Sequence, residues 1–224
     1  VLRAIAAGNR TNGGIANFIG RKSADLTHPL NVLEYCALVA KEPDVFRRGR
    51  WTYRVTEPLV NFYEAIMRPE WSRLESGQAE AVWRDRRPDF LSRVVGPHFE
   101  TVCRLFAAGA GADLFRGPVG EVGSGVVNDP ANRSQIEIDV AVLAPAEPGR
   151  SRRLLSLGEV KWGETMHEGH ARRLARARDL LSSTYDTDGC VLACYSGVGF
   201  AEDLRSAKDS RLALIALDDI YGHG

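Results

Sequence analysis

The sequence predicts an α/β protein, α+β overall, in which an N-terminal helical domain with a β-hairpin precedes a mixed-sheet α/β/α domain. The first 55 residues have the pattern of three short helices followed by two alternating strands. Apolar, β-branched runs follow at 136–143 and 154–162, and the chain closes with a strand, a helix and a strand. The predicted boundaries are 1–69 for the first domain, 70–90 for a helical linker and 91–224 for the second domain.

The composition is sufficient for both domains and argues against a membrane or secreted protein. The chain has 224 residues, 44% hydrophobic and 26% charged, which is enough apolar material for one or two cores. No apolar run reaches membrane-spanning length and the first residues lack a signal-peptide layout, so we expect a cytoplasmic protein with no membrane partner. The formal net charge is zero, so any surface for nucleic acid must be local.

The N-terminal elements follow from caps and apolar spacing. A helix over residues 2–7 precedes a second helix that Thr11 caps, and a third, leucine-rich helix begins near residue 23. Residues 38–42 and 51–55 alternate between apolar and polar side chains, as two short strands do. Three helices followed by a hairpin are typical of a winged helix-turn-helix.

Basic residues lie where a winged helix meets a DNA duplex. Arg21 and Lys22 stand at the entry to the third helix, which would face the major groove. Arg47, Arg48 and Arg50 lie in the loop between the strands, where the wing would contact phosphates. Duplex DNA is therefore one predicted partner. The alternative is a protein-interaction or spacer module, because the third helix offers few groups that read bases.

The pattern of residues 57–127 predicts several helices followed by an edge strand. Residues 57–67 form an amphipathic pattern and residues 71–83 a further helix of the linker. A helix over residues 97–106 follows, with Glu100 in its first turn. A glycine-rich edge strand at 121–127 then leads into the two apolar runs.

Charged side chains interrupt those two apolar runs. Strand alternation puts Glu137 and Asp139 on one face of the first strand, and Glu159 and Lys161 on one face of the second. Desolvating an unpaired carboxylate is costly, so these groups must pair with one another, reach water or hold a cation. A cross-strand ion network on a solvated face is the structural alternative to a catalytic site.

The last third of the chain predicts a parallel pair of strands. Residues 190–195 and 212–217 are apolar runs separated by a helix, which implies a right-handed crossover. A helix over residues 164–182 carries His167 and His170. Their spacing could bind zinc with further ligands, but two exposed histidines are the expectation.

The arrangement of Glu100 on a helix, Asp139 on one strand and Glu159, Val160 and Lys161 on the next resembles the PD-(D/E)xK, or restriction-endonuclease-like, nuclease core. Ile138 stands where the proline of the family motif would be. The resemblance implies Mg²⁺ or Mn²⁺ held by Asp139, Glu159 and the carbonyl of Val160, with Lys161 orienting or deprotonating the attacking water. It implies a supporting role for Glu100.

A second resemblance covers most of the chain. It is to the C-terminal region of prokaryotic and archaeal DEXX-box ATPases of the AAA/STAND type, where a winged helix precedes a restriction-endonuclease-like domain. The matching segments are 2–8, 14–16, 19–20, 37–39, 53–55, 58–63, 68–69 and 158–162. The phosphate-loop motif of those ATPases is missing, so an ATPase domain is an expected partner rather than an activity of this sequence.

The sequence is compatible with three functions. The first is a magnesium-dependent DNA nuclease attached to a winged-helix DNA-binding module, as the C-terminal part of such an ATPase. The alternative is a catalytically inactive DNA-binding, regulatory or protein-docking tail. A weaker third reading is a transcription regulator that uses only its winged helix.

Overall fold

The computed structural model describes residues 1–222, except for the side chains of Gly111 and Ala112. It is a mixed α/β structure that divides into two compact units. The first unit comprises residues 1–43 and 49–98, and the second comprises residues 44–48 and the chain from Phe99 onward. None of the described helices is both long enough and apolar enough to cross a bilayer.

The first unit is helical apart from one antiparallel hairpin. Its helices are α1 (Leu2–Ala6), α2 (Asn12–Ile19), α3 (Thr27–Tyr35), α4 (Pro58–Phe62), α5 (Trp71–Glu75) and α6 (Ala79–Phe90), and its strands are β1 (Val39–Pro43) and β2 (Trp51–Val55). The 3-10 turns Ser23–Leu26 and Arg68–Glu70 and the π-helical turns Tyr63–Met67 and Leu91–Val95 lie between them.

The ends of α2 confirm the predicted capping. The hydroxyl of Thr11 accepts the N–H of Gly14 at 3.1 Å, and Gly20 ends the helix in the left-handed conformation. The predicted hairpin is also present. Apolar side chains of the three helices and the hairpin form one core, whose fully buried members include Ala4, Ile15, Leu26, Leu30 and Val39.

The second unit is a five-stranded mixed sheet with helices on both faces. Its helices are α7 (Gly96–Gly109), α8 (Gly111–Phe115), α9 (Glu168–Leu181), α10 (Glu202–Arg205) and α11 (Leu217–Tyr221), and its strands are β3 (Glu121–Asp129), β4 (Ser134–Leu143), β5 (Leu154–Lys161), β6 (Val191–Ser196) and β7 (Leu212–Ala216). The first three residues of helix α7 belong to the first unit.

The strand order is β3-β4-β5-β6-β7. Strand β4 pairs antiparallel with both β3 and β5, whereas β6 pairs parallel with both β5 and β7. The predicted glycine-rich edge strand and the final parallel pair are therefore confirmed. Helix α7 buries Phe99 and Cys103 against one face of the sheet. Helix α9 buries Leu174 and Ala177 against the other. The two helices therefore approach the sheet centre from opposite sides.

A bulge in β4 changes the direction of the side chains around Asp139. Gly123 pairs with Ala141 and Gly125 with Ile138, so two residues of β4 oppose one residue of β3. Ile138 and Ala141 consequently lie in the same core cluster although they are three positions apart. The extra residue lies at the Asp139–Val140 step, next to the acids that the sequence singles out.

Residues 44–48, which lie between β1 and β2 in the chain, pack on the edge strand β3. The N–H of Val45 donates to the carbonyl of Ser124 at 3.0 Å. A Cβ atom at Gly125 would lie 2.5 Å from the ring of Phe46, and one at Gly123 would lie 2.6 Å from Val45. The glycines of the edge strand therefore make room for this segment.

Helix α9 begins later than the sequence pattern predicts. Met166 forms a bridge with Phe200, since its N–H donates to the Gly199 carbonyl at 3.2 Å and its own carbonyl accepts the Ala201 N–H at 2.8 Å. These bonds hold Met166 in an extended conformation. The prediction of a helix from residue 164 is therefore wrong, and His167 is the N-cap of a helix that starts at Glu168.

Candidate active site

Strands β4 and β5 separate beside Asp139. The ladder between them ends at the pair Val140 and Gly158, and beyond that pair the N–H of Val160 donates to Asp139 Oδ2 at 2.8 Å. The N–H and C=O of a strand residue point to the same side, so the Val160 carbonyl also points into the opening between the strands. We call this opening the β4–β5 fork.

Asp139 is partly buried at the fork, and its environment disfavours a negative charge. Burial and, to a smaller extent, the Glu100 carboxylate raise its pKa to about 7, and the hydrogen bond from the Val160 N–H opposes both effects. Arg104 of α7 donates to the Asp139 carbonyl at 3.1 Å and lies 3.8 Å from Glu100. Helix α7 thus brings a second carboxylate and a guanidinium to Asp139.

Glu159 is completely buried and faces α9. Its Oε1 lies 2.6 Å from Arg173 Nη2 and 3.2 Å from Lys161 Nζ. Its Oε2 is buried with no hydrogen-bond partner among the described residues. A buried carboxylate oxygen without a partner is costly and is an indication of a ligand. The side chain of Lys161 is 31% exposed, so its ammonium reaches solvent.

Three of the side chains that the sequence analysis assigns to catalysis act on the fourth, because charges on Glu100, Glu159 and Lys161 all shift the pKa of Asp139. Arg104 of α7 contacts Asp139, whereas Glu159 extends toward Arg173 of α9. The two acids assigned to the metal are therefore contacted from opposite faces of the sheet.

Sequence reasoning missed two residues of α9 that contact Glu159. Arg173 forms the shortest ion pair of that carboxylate, and His170 Nε2 lies 3.9 Å from its Oε1. Their spacing of three residues puts them on one helical face, which is the signal that could have found them. Glu121, at the start of the edge strand β3, pairs with Arg152 at 2.5 Å.

The cations assigned to DNA contact lie in both units. Those of the first unit, all exposed, are Arg21, Lys22 and Arg50. Arg47 and Arg48 belong to the segment that packs on β3. Arg48 is exposed, whereas Arg47 Nε is 2.6 Å from Asp44 Oδ2.

Comparison with protein-family models, curated proteins and solved structures found no match. The chemistry that the fork can support must therefore be inferred from the ligand atoms that it offers to a metal. Two carboxylates and a strand carbonyl form an all-oxygen set, which suits a hard divalent cation such as Mg²⁺ or Mn²⁺. The unpartnered Oε2 of Glu159 fits such an ion.

Proposed function

We propose that the second unit is a metal-dependent phosphodiesterase of the PD-(D/E)xK type and that the β4–β5 fork is its active site. The unpartnered, fully buried oxygen of Glu159 at this fork carries the proposal. Strand order and helix placement support it, because a helix with Glu100 precedes the strands of Asp139 and Glu159, and a helical crossover follows.

Asp139, Glu159 and the Val160 carbonyl would hold the divalent ion. When bound, the ion supplies positive charge to the phosphate oxygens and lowers the pKa of water. It would also neutralise carboxylates whose charge the site otherwise disfavours, as the raised pKa of Asp139 indicates. The protein's part is therefore to supply two fixed acids close to the partly exposed Lys161.

Lys161 would act on the nucleophile and the phosphate. Its ammonium is partly exposed and is fixed 3.2 Å from Glu159 Oε1. From this position it can orient an attacking water and stabilise negative charge that develops on the phosphate. Arg104 and Glu100 would position Asp139, since Arg104 binds the backbone of the bulge directly.

The first unit would bind duplex DNA as a winged helix. Helix α2, the turn that carries Arg21 and Lys22, and helix α3 follow one another as in a helix-turn-helix, and the β1–β2 hairpin follows them. Both cations are exposed. Phosphate contact by these side chains is the expected mode, because it depends on charge rather than on base sequence.

The ion pair between Arg173 and Glu159 favours the second candidate, an inactive platform that binds DNA or a protein partner such as an ATPase domain. Arg173 and Lys161 together can neutralise Glu159 without a metal. On this reading the fork is a structural ion network, and the protein retains DNA without cutting it.

Cleavage of plasmid and single-stranded DNA with Mg²⁺ or Mn²⁺ distinguishes the two. Under the nuclease proposal, Asp139→Asn and Lys161→Ala each lower the cleavage rate at least about a hundredfold. The matched control is Glu137→Gln, because Glu137 is an exposed acid two residues from Asp139 on the same strand. Retention of DNA without cleavage by the unmodified protein, or equal cleavage by all variants, would reject the nuclease.

A further inference from the structure

Two imidazoles and a carboxylate meet where the loop after β5 enters α9. Glu164, His167 and His170 each offer one ligand atom, and these atoms all lie within 4.8 Å of one another. Glu164 and His167 are exposed, and His170 is buried. The expectation of two exposed histidines is therefore wrong for His170, because the late start of α9 turns that residue toward Glu159.

The ring of His170 is held by the backbone of His167. Its Nδ1 accepts the His167 N–H at 3.1 Å and lies 3.1 Å from the His167 carbonyl. Its Nε2 lies 3.8 Å from Glu164 Oε1. Metal binding at Nε2 requires the tautomer in which Nδ1 carries the proton and donates it to the carbonyl.

The buried Glu159 lies beside this cluster. Its Oε1 lies 3.9 Å from His170 Nε2. The His170 ring thus lies between two carboxylates, Glu159 and Glu164. A cation bound at Nε2 would be attracted by both of them.

We propose that Glu164, His167 and His170 bind a divalent ion of the zinc class, separate from the ion of the fork. Imidazole ligands favour zinc and its neighbours over magnesium, and two histidines with one carboxylate leave a fourth position open for water. None of the three residues belongs to the proposed nuclease site. This inference therefore does not depend on the proposed function.

Binding requires two local adjustments. Ligands of a tetrahedral zinc ion are about 3.4 Å apart, so the 3.8 Å gap between His170 and Glu164 must close slightly. The side chain of Glu164 is 61% exposed and free to move. His167 Nδ1 accepts the N–H of Gly169 at 3.2 Å. To bind a metal, the His167 ring must either break this hydrogen bond or use Nε2 as the ligand atom.

The test is metal binding by the untagged, chelator-stripped chain. Calorimetric titration with Zn²⁺ and visible absorption of bound Co²⁺ should detect a site that binds both ions much more tightly than it binds Mg²⁺. Glu164→Gln and His167→Ala should each weaken Zn²⁺ binding at least about tenfold. Both residues are exposed, and circular dichroism verifies that each variant keeps its fold, including His167→Ala, which loses the N-cap of α9. The matched control is His28→Ala, an exposed histidine of α3.

Two results would overturn the site. One is the absence of Zn²⁺ binding by the unmodified chain, and the other is unchanged affinity in both Glu164→Gln and His167→Ala. The variant Asp139→Asn separates the two proposals, because it should lose DNA cleavage and keep the Zn²⁺ site. Loss of Zn²⁺ binding in Asp139→Asn with unchanged binding in Glu164→Gln would assign the ion to the fork instead.

Discussion

The carboxylate of Asp139 accepts the backbone N–H of Val160 at 2.8 Å, at the point where β4 and β5 stop pairing. A side chain thereby replaces the backbone carbonyl that a continued ladder would supply. This bond satisfies the freed N–H and holds the acid beside the opening. The adjacent bulge is what gives Asp139 this position.

Asp139 should make the metal-free protein less stable as the pH rises from about 4 to about 7. Its raised pKa means that the folded protein keeps a proton that the unfolded chain has already lost. Asp139→Asn removes this penalty and keeps an acceptor for the Val160 N–H. The variant should therefore be more stable than the unmodified protein at pH 8 in EDTA, with little difference near pH 4. Urea unfolding at both pH values measures this.

Asp129 provides a control of opposite sign. Hydrogen bonds from Arg176 and Asn132 hold the pKa of Asp129 well below its usual range. Its contribution to stability is present above about pH 4 and is lost as the pH falls. Asp129→Asn should therefore be destabilised at pH 8. If Asp139→Asn behaved in the same way, the position of Asp139 at the fork would be wrong.

Replacing Arg173 should lower the stability of the protein, because the buried Glu159 carboxylate loses its closest cation. Arg173→Ala takes away the 2.6 Å ion pair and leaves Lys161 as the nearest cation, so we expect a loss of about 1–3 kcal/mol in unfolding free energy. Mg²⁺ or Mn²⁺ should recover part of it if the fork binds metal. Arg172→Ala is the control, because Arg172 pairs with Glu168 in solvent and should change stability by less than about 0.5 kcal/mol.

Gly158 should resist replacement because no side chain fits beside β6. A Cβ atom there would lie 2.7 Å from the ring of the buried Tyr195 and 3.1 Å from Val140. Gly158→Ala should cost about 1–3 kcal/mol in chemical denaturation. Gly13→Ala in α2 meets nothing within 4 Å and should be neutral or stabilising. Equal effects of the two changes would contradict the packing of Tyr195 over Gly158.

DNA binding by the first unit should depend on salt through Arg21 and Lys22. Replacing both with Ala should weaken duplex binding similarly for different sequences and should lower the salt slope by about 2. Fluorescence anisotropy at several salt concentrations measures this slope. Arg68→Ala serves as the control, since Arg68 already pairs with Glu64 in the same unit. An unchanged slope in the double variant would remove these residues from the interface.

Much of the secondary structure could be predicted because its causes are local. Thr11 caps α2 with its own side chain, and the alternation of 51–55 matches the alternating burial of β2. The acids of β4 and β5 could be noticed because a charge in an apolar run is costly wherever the strand lies.

The arrangement of the candidate site could not be predicted to the same extent. The β4 bulge depends on the partner strand β3, and the start of α9 depends on the bridge between Met166 and Phe200. The glycines of β3 are explained only by the segment 44–48 that packs on them. Each of these features results from residues far apart in the chain.

The sequence by itself determined that this protein has a helical segment with a hairpin, a mixed α/β segment, and buried acids that require compensation. Local propensity and the cost of desolvation are enough for these conclusions. Only the tertiary structure decided that Arg173 and His170 face Glu159 and that Val160 binds Asp139. The register of the sheet and the packing of α9 set those contacts, and neither is encoded in the spacing of nearby residues.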